Sequence, residues 1–228
     1  MIYFDHRGNG RSWPSDSSTW TLAQWGDDVR ALCDALGIEK PIVLGQSFGG
    51  MVAQSYATRH PDHPRAVVLS STAARMDLRA SLDLFERKGG PQARAIAERF
   101  WNEGSDHQFV DYLKKVMPLY NPKPRIGGDD ARARAILRVE VFRRFSLPDG
   151  EMRSMDFRTA LARVTCPALV VGGSQDPITP PHLSRELAES LRGPVRLEIF
   201  DGCGHGAFHD DPARVFALIR AFIAERSS

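Results

Sequence analysis

The stretch Gly45-Gln46-Ser47-Phe48-Gly49 sets one serine between two glycines, directly after the apolar run Ile42-Val43-Leu44 and before a helical pattern from Met51 to about His60. A serine hydroxyl is a weak nucleophile until a base takes its proton, so chemistry at Ser47 requires a histidine and a carboxylate to orient that histidine. Both occur downstream, each in a loop after an apolar run: Asp176 in ALVVGGSQDPITP and His205 in FDGCGHGAFHDDP. The strand-turn-helix setting and the order serine, acid, histidine are those of a nucleophile elbow, in which glycines make room for a sharp turn beside the serine. In that geometry the Phe48 N–H is one donor to the oxyanion.

Each of these residues also has a plainer reading. Ser47 suits any tight turn, Asp176 a turn before Pro177, and His205 a loop. Asp201 and His209 are rivals for the acid and the base, but Asp201 follows its strand directly and His209 falls at the start of the last helix. Cys203 lies two residues before His205 without an elbow of its own and reads as a packing residue. The histidines show no H-x-x-x-H or H-E-x-x-H spacing for a metal. Three matches in the required order favour the serine reading, a chemistry that calls for no cofactor.

Positioning such residues takes a sheet whose strands all end on one side. Ile2 to Phe4, Ile42 to Leu44, Ala66 to Leu69 and Ala168 to Val171 read as buried strands, and Val195 to Phe200 as a fifth with alternating character. Helices fall between them. Leu22, Trp25, Val29, Leu32, Cys33 and Leu36 share one face, with Thr21 and Gln24 as a capping box and Gly37 closing the end. Asp211 and Pro212 start a C-terminal helix, and Leu183, Leu187 and Leu191 mark another between Thr179 and Gly193. The alternation predicts an α/β fold with a mostly parallel sheet, its ligands at the carboxyl ends of the strands.

Residues 75–158 break the rhythm with Arg-rich helical patches and the loop-like YNPKPRIGGDD. They read as a helical insertion over a core of residues 1–74 and 159–228, with Arg132, Arg134, Arg138, Arg143 and Arg144 on a solvated helix face.

Composition sets the outer bounds. With 228 residues, 42% hydrophobic, the chain can bury a core, and a net charge of +2 argues against a nucleic-acid partner. Cys33, Cys166 and Cys203 are too few and too scattered for a disulfide framework, which predicts a cytoplasmic setting. No segment approaches the roughly eighteen apolar residues of a membrane span, so no membrane partner is expected.

These motifs resemble the α/β-hydrolase superfamily along essentially the whole chain. FDHRGNGRS is similar to the D-x-R-G-x-G-x-S loop after that family's fourth strand, GQSFGG to its elbow, CPALVVGGSQDPITP to its acid strand and GCGHGAFHDDP to its histidine loop. Within it, the chain most resembles proline iminopeptidases and related esterases, whose helical cap is inserted where residues 75–158 fall. The resemblance implies a serine hydrolase acting through an acyl-enzyme on a small-molecule or short-peptide substrate, first of all a proline-iminopeptidase-like aminopeptidase that releases an N-terminal residue, with Glu140 a candidate to receive the free amine and a surface carboxylate as its plainer reading. A carboxylesterase of small esters is the alternative. Serine rather than aspartate at position 47 sets the chain apart from haloalkane dehalogenases and epoxide hydrolases.

The resemblance also implies an N-terminal truncation. The family has three strands before the D-x-R-G loop, the third lying between the fourth and fifth and followed by a turn that supplies a second oxyanion donor. Three outcomes stay open: an upstream start, pairing of Ile2 to Phe4 directly with Ile42 to Leu44, or a homo-oligomer in which another chain covers the gap. A non-catalytic binding module remains the reading from a different class.

Overall fold

A computed structural model describes residues 1–124, 136 and 138–226. Four parallel strands, β1 (Ile42–Gln46), β2 (Ala66–Ser70), β3 (Ala168–Gly173) and β4 (Val195–Phe200), lie side by side in that order. The first three extend their apolar runs by a residue or two, and β4 matches its run. Register is set pair by pair, with Ile42 opposite Ala66, Val67 opposite Ala168 and Ala168 opposite Val195.

Both faces of the sheet are covered, which is why β2 and β3 read as continuous apolar runs. Val67, Leu69 and Val170 face a core shared with α1 (Leu22–Ala35) and α2 (Phe48–Arg59). Val68, Leu169 and Val171 face the other way, onto Val215, Leu218 and Phe222 of the C-terminal helix, α9 (Pro212–Ala224).

The helix starts follow the expected chemistry with one departure. Thr21 Oγ1 accepts the Gln24 N–H at 3.0 Å and Asp211 accepts that of Arg214 at 3.2 Å. The Gln24 side chain does not complete the box; it turns to Asp28 at 3.1 Å. Asp28 is also the partner of Arg7, which offers it a fork of two N–H groups and draws the acid there.

Ile2 to Phe4 forms no strand. The segment is irregular, with Ile2 57% and Tyr3 86% exposed. An apolar run becomes a strand only through a ladder partner, and among the described residues β1 pairs with β2 alone. β1 is therefore an edge of this sheet, and its Leu44 is 47% exposed.

Between β2 and β3 the described chain is helical: α3 (Leu78–Glu103), kinked at Gly90-Pro91, then α4 (Asp106–Lys115), α5 (Val139–Ser146), α6 (Glu151–Ser154) and α7 (Arg158–Leu161). A short 3-10 turn, Met117–Tyr120, follows α4. The two ends of this segment are tied together by an antiparallel bridge between Arg75 and Asp156 and by the Phe157 N–H on the Ala74 carbonyl at 2.8 Å. Glu151 reaches the start of α1, accepting the Leu22 N–H at 2.6 Å.

Of the expected arginine face, Arg132 and Arg134 lie outside the described residues. Arg144 is exposed, whereas Arg143 is half-buried and donates to the Gly104 carbonyl at 2.7 Å, satisfying the end of α3. No described helix is long and apolar enough to cross a membrane. Helix α8 (Pro181–Ser190) links β3 to β4.

Candidate active site

Three strand ends deliver the three residues. β1 runs into Ser47, the loop after β3 carries Asp176, and the loop after β4 carries His205. Ser47 Oγ lies 2.8 Å from His205 Nε2, and His205 Nδ1 lies 2.9 and 3.1 Å from the two oxygens of Asp176. Asp176 is 1% and His205 7% exposed.

The turn at Ser47 is strained, with φ 53° and ψ −120°, a combination that a residue with a Cβ seldom holds. Its N–H donates to the Ser70 carbonyl at 2.9 Å, which pins the elbow to the end of β2. A Cβ on Gly45 would overlap the Gly49 carbonyl, and one on Gly50 would come within 2.5 Å of Thr72 Cβ. A Cβ on Gly49 would meet nothing within 4 Å. The close approach thus accounts for Gly45 and Gly50, and not for the second glycine of the motif. Phe48 opens α2, and among the described residues no acceptor takes its N–H.

Asp176 is held by more than the histidine. Its Oδ1 accepts the N–H groups of Ile178 and Thr179, each at 2.8 Å, and its Oδ2 accepts the Thr179 hydroxyl at 2.8 Å. A carboxylate gripped in this way has one orientation to offer an imidazole.

The histidine loop is fixed from three sides. The His205 N–H donates to the Tyr120 carbonyl at 2.9 Å, the Gly206 N–H to Ser71 Oγ at 2.8 Å, and the Gly204 N–H to Asp210 Oδ2 at 2.7 Å. Ser71 is itself strained at φ 44°. Buried Asp210 also accepts from the Asn121 side chain at 2.8 Å and the Lys123 N–H at 3.3 Å, so it joins the helical segment between β2 and β3 to the loop. Thr179, Ser71, Tyr120 and Asp210 carried no motif of their own. Thr179, Tyr120 and Asp210 each lay within a quoted segment, the acid strand, the loop-like stretch and the histidine loop, where sequence reasoning could have looked; Ser71 lay in none.

A cavity of about 430 Å³ opens over Ser47 and His205. Trp25, Phe48, Trp101, Phe142 and Phe145 make much of its wall, and Arg138 lies at an exposed position of it. Glu140 is exposed on α5, and although its neighbours Val139 and Val141 line the cavity, Glu140 does not. Asp201 accepts from the Ser174 hydroxyl at 3.0 Å in an exposed turn, and Cys203 is buried, which pushes its thiol pKa up. Among the described residues no cluster of His, Cys, Asp or Glu could hold a metal ion.

An aligned hydroxyl, imidazole and carboxylate can pass a proton from oxygen to nitrogen while the acid steadies the resulting charge. An unclaimed N–H one residue beyond the hydroxyl can accept a developing negative oxygen.

Comparison with known proteins agrees with this architecture. Residues 1–212 match the family model described as serine aminopeptidase, S33. The chain is 30% identical over 204 residues to a pimeloyl-[acyl-carrier protein] methyl ester esterase of Neisseria meningitidis, an alignment covering 86% of this chain and 75% of that protein. It is 24% identical over 245 residues to a proline iminopeptidase of Lactobacillus helveticus, covering 98% and 79%. The crystal structure of a proline iminopeptidase from Mycobacterium smegmatis superposes with a TM-score of 0.77 at 25% identity, over 97% of this chain and 78% of that one.

Proposed function

Because the chain belongs to the serine aminopeptidase S33 family of α/β hydrolases, we propose that it cleaves an ester or amide bond through an acyl-enzyme formed on Ser47. The observation that carries this reading is the continuous hydrogen-bonded line from Ser47 Oγ through His205 to Asp176. Ser47 attacks the carbonyl carbon as its proton passes to His205 Nε2, and the imidazolium then delivers that proton to the leaving group. Water then attacks the acyl carbon as it gives a proton to the same nitrogen, and that proton passes back to Ser47 Oγ as the acyl–Oγ bond breaks and the acid leaves. Asp176 holds Nδ1 protonated throughout, and the Phe48 N–H stabilises the oxyanion.

The aromatic wall above Ser47 supports a substrate with an apolar acyl group. Burying such a group there is worth about 25 cal/mol for each Å² removed from water. A small ester is the substrate class this wall fits best. Peptide substrates of the iminopeptidase kind are the second reading, supported by the likeness to the two iminopeptidases. A reducing cytoplasmic setting is supported by three unpaired thiols.

The test is covalent. Incubated with a fluorophosphonate, the parent chain should gain one adduct by intact mass and Ser47→Ala none. An unlabelled, folded parent would sink the reading. Nitrophenyl esters of increasing acyl length, set against a proline anilide and corrected for background hydrolysis, then separate esterase from aminopeptidase.

A further inference from the structure

One titratable side chain in the cavity wall has no part in the reaction just described. His6 lines the same cavity as Ser47 and His205. Its ring stacks on Trp25, with centroids 4.7 Å apart and planes 12° from parallel, and Phe4 meets it edge-on at 5.1 Å. Trp25 in turn meets the Phe48 ring edge-on at 5.5 Å, so His6 belongs to the aromatic layer that borders the elbow.

The loop that carries His6 is closed on itself. Asp5 accepts the Arg11 N–H at 2.9 Å, the Ser12 hydroxyl donates to the Asp5 carbonyl, and Arg7 is anchored to Asp28 on α1. The imidazole is thus placed by a fixed turn rather than by a free tail.

Its polar atoms are what the packing leaves unexplained. Nδ1 is enclosed and has no hydrogen-bond partner. Burial pushes the ring's pKa down to about 4 against the opposing charges of Asp28 and Asp5, so the imidazole is neutral near pH 7. A neutral ring carries one N–H. Enclosed N–H groups without acceptors are rarer than enclosed bare acceptors, which assigns the lone pair to Nδ1 and the proton to Nε2. No described residue accepts from Nε2. The ring in this cavity wall therefore leaves one N–H donor unused.

We propose that His6 is a substrate-contacting residue, its Nε2–H donating a hydrogen bond to an oxygen of the ester or amide bound over Ser47. The proposal rests on the serine-hydrolase reading above, and it adds a polar anchor to a wall that is otherwise mostly apolar. No proton is transferred: the donor stays neutral.

Two variants and one spectrum test it. His6→Phe keeps a ring to stack on Trp25 and removes the donor; with p-nitrophenyl butyrate it should lower kcat/KM about tenfold, the range of one lost hydrogen bond to a reacting group. His6→Gln restores a donor and should recover a good part of that loss, which a purely structural role would not predict. In the parent, long-range ¹H–¹⁵N spectra of the imidazole should report the Nε2–H tautomer, with the Nε2 proton moving downfield when a fluorophosphonate occupies Ser47. Unchanged kcat/KM in a folded His6→Phe, or an Nδ1–H tautomer that ignores the adduct, overturns the assignment of His6. Failure of the parent to take the fluorophosphonate overturns the serine-hydrolase reading itself, and His6 with it. Should His6→Phe not fold, the parent's spectrum alone decides.

Discussion

The Tyr120 carbonyl accepts the backbone N–H of His205 at 2.9 Å, and the two rings meet edge-on with centroids 5.4 Å apart. Tyr120 closes the 3-10 turn that follows α4, and its hydroxyl is bonded to that of Tyr112 on α4 at 2.6 Å. The helical segment between β2 and β3 is therefore part of what holds the histidine, as well as a wall of the cavity.

Asp210 should be the most sensitive link between the two. Asp210→Ala strands the Gly204 N–H, the Asn121 side chain and the Lys123 N–H, at an expected cost of about 2–3 kcal/mol. Hydrolysis should fall further than the lost stability explains at temperatures where the variant is folded, because Gly204 precedes His205. Thermal melts and kcat measured side by side check this, and Asp210→Asn, which keeps one acceptor, should lie between. Equal kcat in folded parent and Ala variant would remove the positioning role.

Thr179 grips the Asp176 carboxylate. Thr179→Val is nearly isosteric and deletes the hydroxyl that Asp176 Oδ2 accepts at 2.8 Å. The expected result is a fall in kcat of roughly three- to tenfold with KM unchanged, since the acyl wall is untouched. A rise in KM at constant kcat would instead place Thr179 in substrate binding.

The glycines of the elbow should separate cleanly. Gly45→Ala drives a methyl into the Gly49 carbonyl and should cost about 3 kcal/mol or more, or yield no soluble protein. Gly49→Ala meets open space in the first turn of α2 and should melt within about 1 kcal/mol of the parent, on the stable side. A comparable drop in both would mean that crowding is not what selects glycine at position 45.

His6 gives the stability a pH signature. Burial holds its pKa down at about 4 in the folded chain, against about 6.5 for a free imidazole. Between those limits the unfolded chain binds a proton that the folded chain refuses, so this contribution to stability is complete above pH 6.5 and is lost as the pH falls towards 4. The full effect is on the order of 3 kcal/mol. Relative to His6→Phe, the parent should lose melting temperature steadily from pH 7 to pH 4.5. Parallel melting curves for the two proteins would contradict the depressed value.

Much of this was legible in the sequence because the signals were local. Gly45 to Gly49 directly after an apolar run gave the elbow, and a run ahead of each of Asp176 and His205 gave their loops. The strand at Ile2 to Phe4 was misread for a physical reason: hydrophobicity marks a segment that can pair, and only the fold supplies a partner. Thr179, Ser71 and Tyr120 escaped because each acts through a backbone or hydroxyl contact that any small or aromatic residue could suggest. Arg143 was misplaced because a charged residue on an amphipathic face reads as solvated until a helix end such as Gly104 comes within reach.

The strand that leads into Ser47 is the sheet's margin. Among the described residues β1 is hydrogen-bonded along one side, while β2 and β3 are bonded along both. Local opening at a margin costs less free energy than global unfolding, and here any fraying of Gly45 and Gln46 tilts the serine before the rest of the sheet responds. Amide protons of β1 should exchange faster than those of β3. On warming, hydrolysis should disappear several degrees before far-ultraviolet ellipticity does, so the molecule's working lifetime is governed by its edge rather than by its core.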